Sequence, residues 1–258
     1  KVYIGVAGEP SEVSVITVDS KSNLVPNVPL TVVFALRTWY SVQEKGSDGE
    51  FYWATKFTDT PVFTQTLTTD GQGAATASFV PSAGGSYRVL ATGKDARGNE
   101  VRSATYLWVS GADDEYVSWR VENNNRIELI SDKKSYAPGE TARVLIPSPF
   151  QGATTALLTV ERAGVLSHQV LTLQSNSQQV DIPITTESIP NVFVSVVLVQ
   201  GKNAENPYAA FRVGYVKLDV SAAEKELTIR VTPDRETYGP RDTARFTVET
   251  LGASGQGV

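Results

Sequence analysis

"SDKKSYAPGETARVLIPSPF", residues 131–150, is nearly repeated by "PDRETYGPRDTARFTVETLG" at residues 233–252. Asp132, Tyr136, Pro138, Glu140, Thr141, Ala142 and Arg143 fall without gaps onto Asp234, Tyr238, Pro240, Asp242, Thr243, Ala244 and Arg245, 102 residues further on. Each copy follows an apolar run, Ile127 to Ile130 or Leu227 to Val231, and leads into another. Pro138 presets φ for the first central residue of a tight turn, Gly139 supplies a positive φ for the next, and the carboxylate after them accepts a turn N–H. Arg241 stands where Gly139 does, which predicts a type I or otherwise altered turn in the second copy. Tyr136 and Tyr238 are expected to pack over their corners with the hydroxyl on nearby backbone, a recurring device of β-sandwiches. A weaker relative stands at the front, where Val2 to Val6 precedes "AGEPSEVSV" at 7–15, so three domain starts are marked.

The rest of the chain agrees with a β reading. Val2, Ile4 and Val6 alternate with other residues, as do Val13 and Val15, Ala142, Val144 and Ile146, and Leu227, Ile229 and Val231. Strict alternation is the mark of a strand with one buried face. "DGQG" at 70–73, "SAGGS" at 82–86, "DARGN" at 95–99 and "APG" at 137–139 supply residues that tolerate positive φ in tight turns. Many short strands with frequent turns predict antiparallel β-sandwiches. The expected domains are residues 1–112, 113–220 and 221–258, the last holding only the first strands of a third sandwich. The charged stretches "ADDEYVSW" at 112–119 and "SAAEKE" at 221–226 read as linkers, which predicts small, polar contacts between domains.

Composition narrows the function classes. With 258 residues and a formal charge of -5, the chain lacks the clustered Lys/Arg that displaces phosphate counterions, so no nucleic-acid partner is expected. There is no cysteine, hence no disulfide, thiolate zinc site or cysteine nucleophile, and the redox compartment stays open. The longest apolar run, "VFVSVVLV" at 192–199, has strand length and falls far short of a membrane-spanning helix. The chain begins at Lys1, has no methionine and shows no signal-peptide pattern, so it reads as a piece of something longer.

Chemistry-bearing patterns are few. The single histidine, His168, follows Ser167, and neighbours on a strand point to opposite faces, which argues against a nucleophile–base pair. Asp113, Asp114 and Glu115 lack the ligand alternation and glycine of a calcium loop. "DGQG" lacks the Lys and Ser/Thr of a phosphate loop, and no acid sits in an apolar run that would raise its pKa. The expectation is no enzyme: no catalytic, cofactor-binding or metal-binding residue and no small-molecule substrate. The stretch "RTWYSVQEKGSDGEFYWATKF" at 37–57 reads as a long aromatic hairpin. Its aromatics suit either a carbohydrate or protein partner, or cross-strand packing in which Trp39 and Phe51 or Trp53 face the core while Tyr40 and Tyr52 cover the outside.

Residues 126–216 closely resemble the bacterial alpha-2-macroglobulin family in its tandem macroglobulin-like β-sandwich domains. The resemblance rests on the Tyr136-Ala137-Pro138-Gly139-Glu140 turn, Pro147-Ser148-Pro149-Phe150 before Gly152, Thr159-Val160-Glu161-Arg162 with Gly164 after it, and Pro190-Asn191-Val192. "DGQGAATASFVPSAGGSYRVLATGKDARGN" at 70–99 is similar to the closing strands of a preceding domain, and "TPDRETYGPRDTARF" to the start of the next. The resemblance implies scaffold domains of a secreted or periplasmic, envelope-anchored or free protease trap. In such a trap cleavage of an exposed bait segment lets the surrounding domains cage the protease. Proteases, through the full-length protein, and neighbouring macroglobulin-like domains are the implied partners. Many members hold a Cys–Gln thioester, which a chain without cysteine cannot contain, and the bait would fall past Val258. The rival reading is a cell-surface adhesin or carbohydrate-binding tandem protein that uses the aromatic hairpin.

Overall fold

The computed structural model describes residues 3–45, 47, 49–112, 115–121, 124–202 and 207–257; Val2, Asp113 and Asp114, named above, lie outside them. Seven strands come first: β1 (Tyr3–Val6), β2 (Ser11–Ile16), β3 (Pro29–Lys45), β4 (Phe51–Thr68), β5 (Ala74–Phe79), β6 (Gly85–Lys94) and β7 (Glu100–Ser110). They form a five-stranded sheet in the order β1-β7-β6-β3-β4, facing the antiparallel pair β2-β5. Alternation sends Val13, Val32, Phe34, Ala77, Phe79, Val89, Leu107 and Val109 into one core between the two layers. Tyr87, in the same core, donates its hydroxyl to the Ala83 carbonyl at 2.7 Å, four residues upstream.

A second sandwich follows, from β8 (Ile130–Ser131), β9 (Ser135–Tyr136), β10 (Thr141–Leu145), β11 (Thr154–Glu161), β12 (Val165–Leu173), β13 (Gln179–Pro183), β14 (Asn191–Gln200) and β15 (Ala210–Val220). Its layers run β12-β11-β14-β15-β9 and β13-β10-β8. The apolar run singled out for its length is β14, where Val192, Val194, Val196 and Leu198 all point into the core. In both sandwiches a short strand near the start pairs parallel with the last one, β1 with β7 and β9 with β15. The expected strand from Ile127 to Ile130 is shorter than the sequence suggested: only Ile130–Ser131 joins a sheet, while Arg126 bridges to Val213 on β15. Finally β16 (Thr228–Pro233) and β17 (Phe246–Leu251) make an antiparallel hairpin whose apolar residues, among them Ile229, Val231, Phe246 and Val248, are exposed.

The two repeated corners share one wiring. Tyr136 donates its hydroxyl to the Asp132 carboxylate at 2.7 Å, and the same Asp132 oxygen accepts the Arg143 N–H at 2.8 Å. Tyr238 and Arg245 donate likewise to Asp234, at 2.5 and 3.1 Å. Glu140 and Asp242 each accept the N–H of the first turn residue, Ala137 at 3.0 Å and Gly239 at 2.8 Å. The expectation of an altered second turn is corrected here: Arg241 holds φ at 71°, in the region where Gly139 has 91°, and both turns close an i-to-i+3 bond at 3.1 Å. The bonds to Asp234 and Asp242 fix the corner so firmly that arginine accepts a left-handed conformation costing on the order of 1 kcal/mol. Burial separates the copies. Tyr136 is 2% exposed under the second sandwich's core, whereas Tyr238 is only half-buried. Burial first, then the bond to Asp132, pushes the Tyr136 phenol well above its ordinary value, so it remains a donor.

Candidate functional site

The residues that sequence reasoning assigned to a solvated linker form the junction between the sandwiches. Val117 and Trp119, two apart and hence on one side of an extended segment, are buried together with Ile130 of β8 and Leu145 of β10, against Ile4 of β1 and Trp108 of β7. Leu145 is next to Val144, and alternation turns it away from the second sandwich's own core. Without the linker and the first sandwich over it, this outward apolar face would lie in water, at a cost of about 1.5–3 kcal/mol per large side chain.

Polar groups complete the seam. Asn176, 5% exposed, accepts the Val117 N–H at 2.9 Å and donates to the carbonyls of Val117 at 2.8 Å and Ser148 at 3.1 Å. The Trp119 indole N–H donates to the Asn176 carbonyl at 2.7 Å. Gly111 N–H donates to Ser177, and the Gln179 amide donates to Ser110 Oγ at 2.6 Å and the Gly5 carbonyl at 3.3 Å. On the other side, Ser118 exchanges hydrogen bonds with the Trp39 backbone, and Thr55 donates to the Val121 carbonyl at 2.6 Å. Glu115 receives the Gly84 N–H at 2.9 Å. Gly84 is a tight point of backbone approach: a Cβ there would stand 2.5 Å from both the Gly111 nitrogen and Val117 Cγ2. The first linker's contacts are therefore polar, as its charge suggested, but also apolar, through the buried Val117 and Trp119.

The aromatic hairpin is real and longer than expected, with β3 and β4 paired from Pro29↔Thr68 to Lys45↔Phe51. Only the Leu30–Arg37 part of β3 also pairs with β6, so the remainder projects as a two-stranded ribbon. Trp39 is half-buried at the junction, its ring 5.2 Å from that of Phe57. Neither alternative for the core holds, because Phe51 and Trp53 are 62% and 57% exposed on the ribbon. At its base sits an ion pair, Arg37 buried and Asp59 partly so, that the sequence reading missed. Arg37 donates to both Asp59 oxygens at 2.7 and 2.8 Å and to the Tyr106 hydroxyl at 2.8 Å, with its guanidinium carbon 3.7 Å from the Phe57 ring centroid. The bond from Arg37 holds the Asp59 carboxyl below its ordinary value, and Asp59 raises Arg37 in return. Arg37 and Asp59 are direct cross-strand partners, and an arginine inside the apolar run "VVFALRTWY" was the available signal.

His168 and Ser167 lie on edge strand β12, both exposed, beside a groove that Asp181 and Glu187 also line. Among the described residues no group of three or more His, Asp or Glu is placed to hold a metal ion; of the acidic cluster only Glu115 is described, and it binds backbone N–H groups.

A family model described as alpha-2-macroglobulin bait region domain matches residues 127–256, just over half of the chain. An alpha-2-macroglobulin homolog of Nostoc sp. is 27% identical over 182 residues, covering 68% of this chain and 9% of that protein. Alpha-2-macroglobulin of Ralstonia nicotianae is 29% identical over 187 residues, covering 69% of this chain and 11% of that protein. Native E. coli alpha-2-macroglobulin, a solved structure, aligns over 98% of this chain and 16% of its own at 18% identity and a TM-score of 0.35. The chain therefore spans about a tenth of the length of the curated relatives it matches. With its repeated corners, its all-β sandwiches and this family match, the chain belongs to the alpha-2-macroglobulin family.

Proposed function

We propose that this chain is scaffold of a protease-trapping inhibitor, without catalytic activity of its own, and that residues 1–112, 113–220 and 221–258 are successive macroglobulin-like domains. The observation that carries this reading is the family match over 127–256, the span between the two corners and their strands. The domain division draws support from sheets that share no strand, and from the unequal burial of Tyr136 and Tyr238 under identical wiring. A corner built like the first calls for a cover like the first, and the exposed face of β16 and β17 is the surface such a cover would bury.

In this account the two sandwiches move as one block when a protease is caged, because the linker's Val117 and Trp119 are buried between them. Proteases meet the full-length protein at a segment following Val258. The bait region domain model matches residues 127–256, and the proposed cleavage segment lies beyond that match. The same membership supports a periplasmic or secreted setting; among the described residues no helix is long and apolar enough to cross a membrane. The test is to express the parent protein, add elastase or trypsin, and sequence the new termini while assaying small and large substrates. A single early cut past residue 258, with activity kept on a small peptide and lost on casein, is expected. Cuts scattered through the sandwiches, or equal activity on both substrates, contradict the reading.

A further inference from the structure

Strand β12 closes one end of its sheet, and among the described residues no strand pairs with its outer edge. From Ser167 to Leu173 its register with β11 runs without a break, so seven residues in a row offer a regular ladder on the open side. Sheet edges are ordinarily guarded by proline, by charge or by a bulge. Strand β12 contains no Pro, Asp, Glu, Lys or Arg, whereas the long edge strand β4 carries Lys56, Asp59 and Pro61. The one break in its pairing, opposite Val160 and Glu161, lies outside the regular stretch. Val165, Leu166 and Val170 are moreover exposed, Val170 at 68%. An open ladder flanked by exposed apolar side chains is the surface that takes up an added strand.

Beside that edge runs a groove of about 380 Å³, between β12 and β13, the end strand of the facing layer. Its floor is Leu158, Val160 and Ile182, core side chains reached between the two layers, and Asp181 and Glu187 line it from the β13 side. Ser167 and Gln169 pair with the inward-facing Val160 and Leu158. A strand added to β12 therefore aims every second side chain over the groove and sets the others beside the exposed Val170. Asp181 meets Arg143 only loosely, at 3.6 Å with both side chains more than half exposed. Arg162 donates to the Glu187 backbone carbonyl at 2.9 Å, and among the described residues no ion pair engages the Glu187 carboxylate. A lysine or arginine has an apolar stem and a charged head, which matches an apolar floor beside carboxylates.

We propose that β12 is a strand-addition site for an extended segment of a separate polypeptide, one whose basic residues lie over the groove toward Glu187 and Asp181 and alternate with β-branched apolar residues beside Val170. The test titrates the 258-residue protein with the peptide acetyl-Thr-Val-Lys-Val-Lys-Val-Thr-amide by calorimetry and reads amide hydrogen exchange along the chain. Saturable binding below about 1 mM and slowed exchange within residues 165–173 are expected. The same peptide with glutamate in place of both lysines should bind at least about tenfold more weakly, and Glu187→Gln should weaken the lysine peptide severalfold at an unchanged melting temperature. N-methylation of the lysines or of the valines removes N–H groups from opposite edges of the peptide, so one form should lose binding and the other keep it. No saturable binding below about 1 mM, slowed exchange elsewhere than β12, equal binding of the glutamate peptide, equal effects of the two methylations, or indifference to Glu187→Gln would each overturn the proposal. A reversible dimer of the protein that forms through β12 and excludes the peptide would overturn it too, in favour of a second copy as the occupant.

Discussion

Tyr136 and Tyr238 make the same bond to an aspartate four residues earlier, yet their environments differ, which separates wiring from burial at a single atom. Removing the buried hydroxyl in Tyr136→Phe strands the Lys133 N–H and takes from the Asp132 oxygen one of its two donors, and should cost about 1–2 kcal/mol in urea denaturation. Tyr238→Phe, where water can replace the hydroxyl, should cost less than about 0.5 kcal/mol. Equal losses would mean that the corner's bond, rather than its cover, carries the effect. Asp59 offers a second residue-scale test. Its folded pKa lies below the unfolded value of about 3.9, so its contribution is full above about pH 5 and fades as the pH falls through the folded pKa. Asp59→Asn leaves Arg37 buried beside a neutral amide and should lower stability at pH 7 by about 3 kcal/mol. It should also flatten the pH dependence of urea midpoints below pH 5; an unchanged acid slope would show the ion pair to be inert.

At the scale of elements, much of the sheet architecture is legible in the sequence where one face is buried and the other wet. Val13 and Val15, and Ala142 and Val144, declared themselves by alternation, the strand at 192–199 by the length of its apolar run, and "DGQG" and "DARGN" by turn residues, whose aspartates accept N–H groups two and four residues on. What escaped is equally physical. Strand β4 is an edge strand whose second half, after Phe57, is rich in Thr with Pro61 inside it, so its continuation to Thr68 carries little strand signal. The junction escaped because Asp113, Asp114 and Glu115 set the character of 112–119, while the i, i+2 spacing of Val117 and Trp119 was the pattern that mattered. Gly84 ties the β6 entry to that segment: Gly84→Ala drives a methyl into the Gly111 backbone and Val117 and should destabilise the protein by about 2 kcal/mol or more. The check is thermal melting of this variant beside Gly98→Ala, a turn position with open space around it whose positive φ costs only about 1 kcal/mol.

For the whole molecule, the consequence is mechanical. Two sandwiches joined by exposed charge would hinge freely, whereas a linker holding Val117 and Trp119 between Trp108 and Leu145 couples their stabilities. Under the proposed scaffold role, displacement would pass on at the outer boundaries and be resisted at this seam. Family membership was legible in the repeated corner and the motifs between residues 126 and 216; the stiffness was not, because it depends on which apolar faces meet in space.

Differential scanning calorimetry of the 258-residue protein and its Asn176→Ala variant tests that coupling most directly. Asn176 holds the Val117 backbone, so the unaltered protein should melt its two sandwiches in one cooperative transition, and the variant should split that transition into two. Two separate transitions in the unaltered protein, with Asn176→Ala lowering only one, would contradict the account.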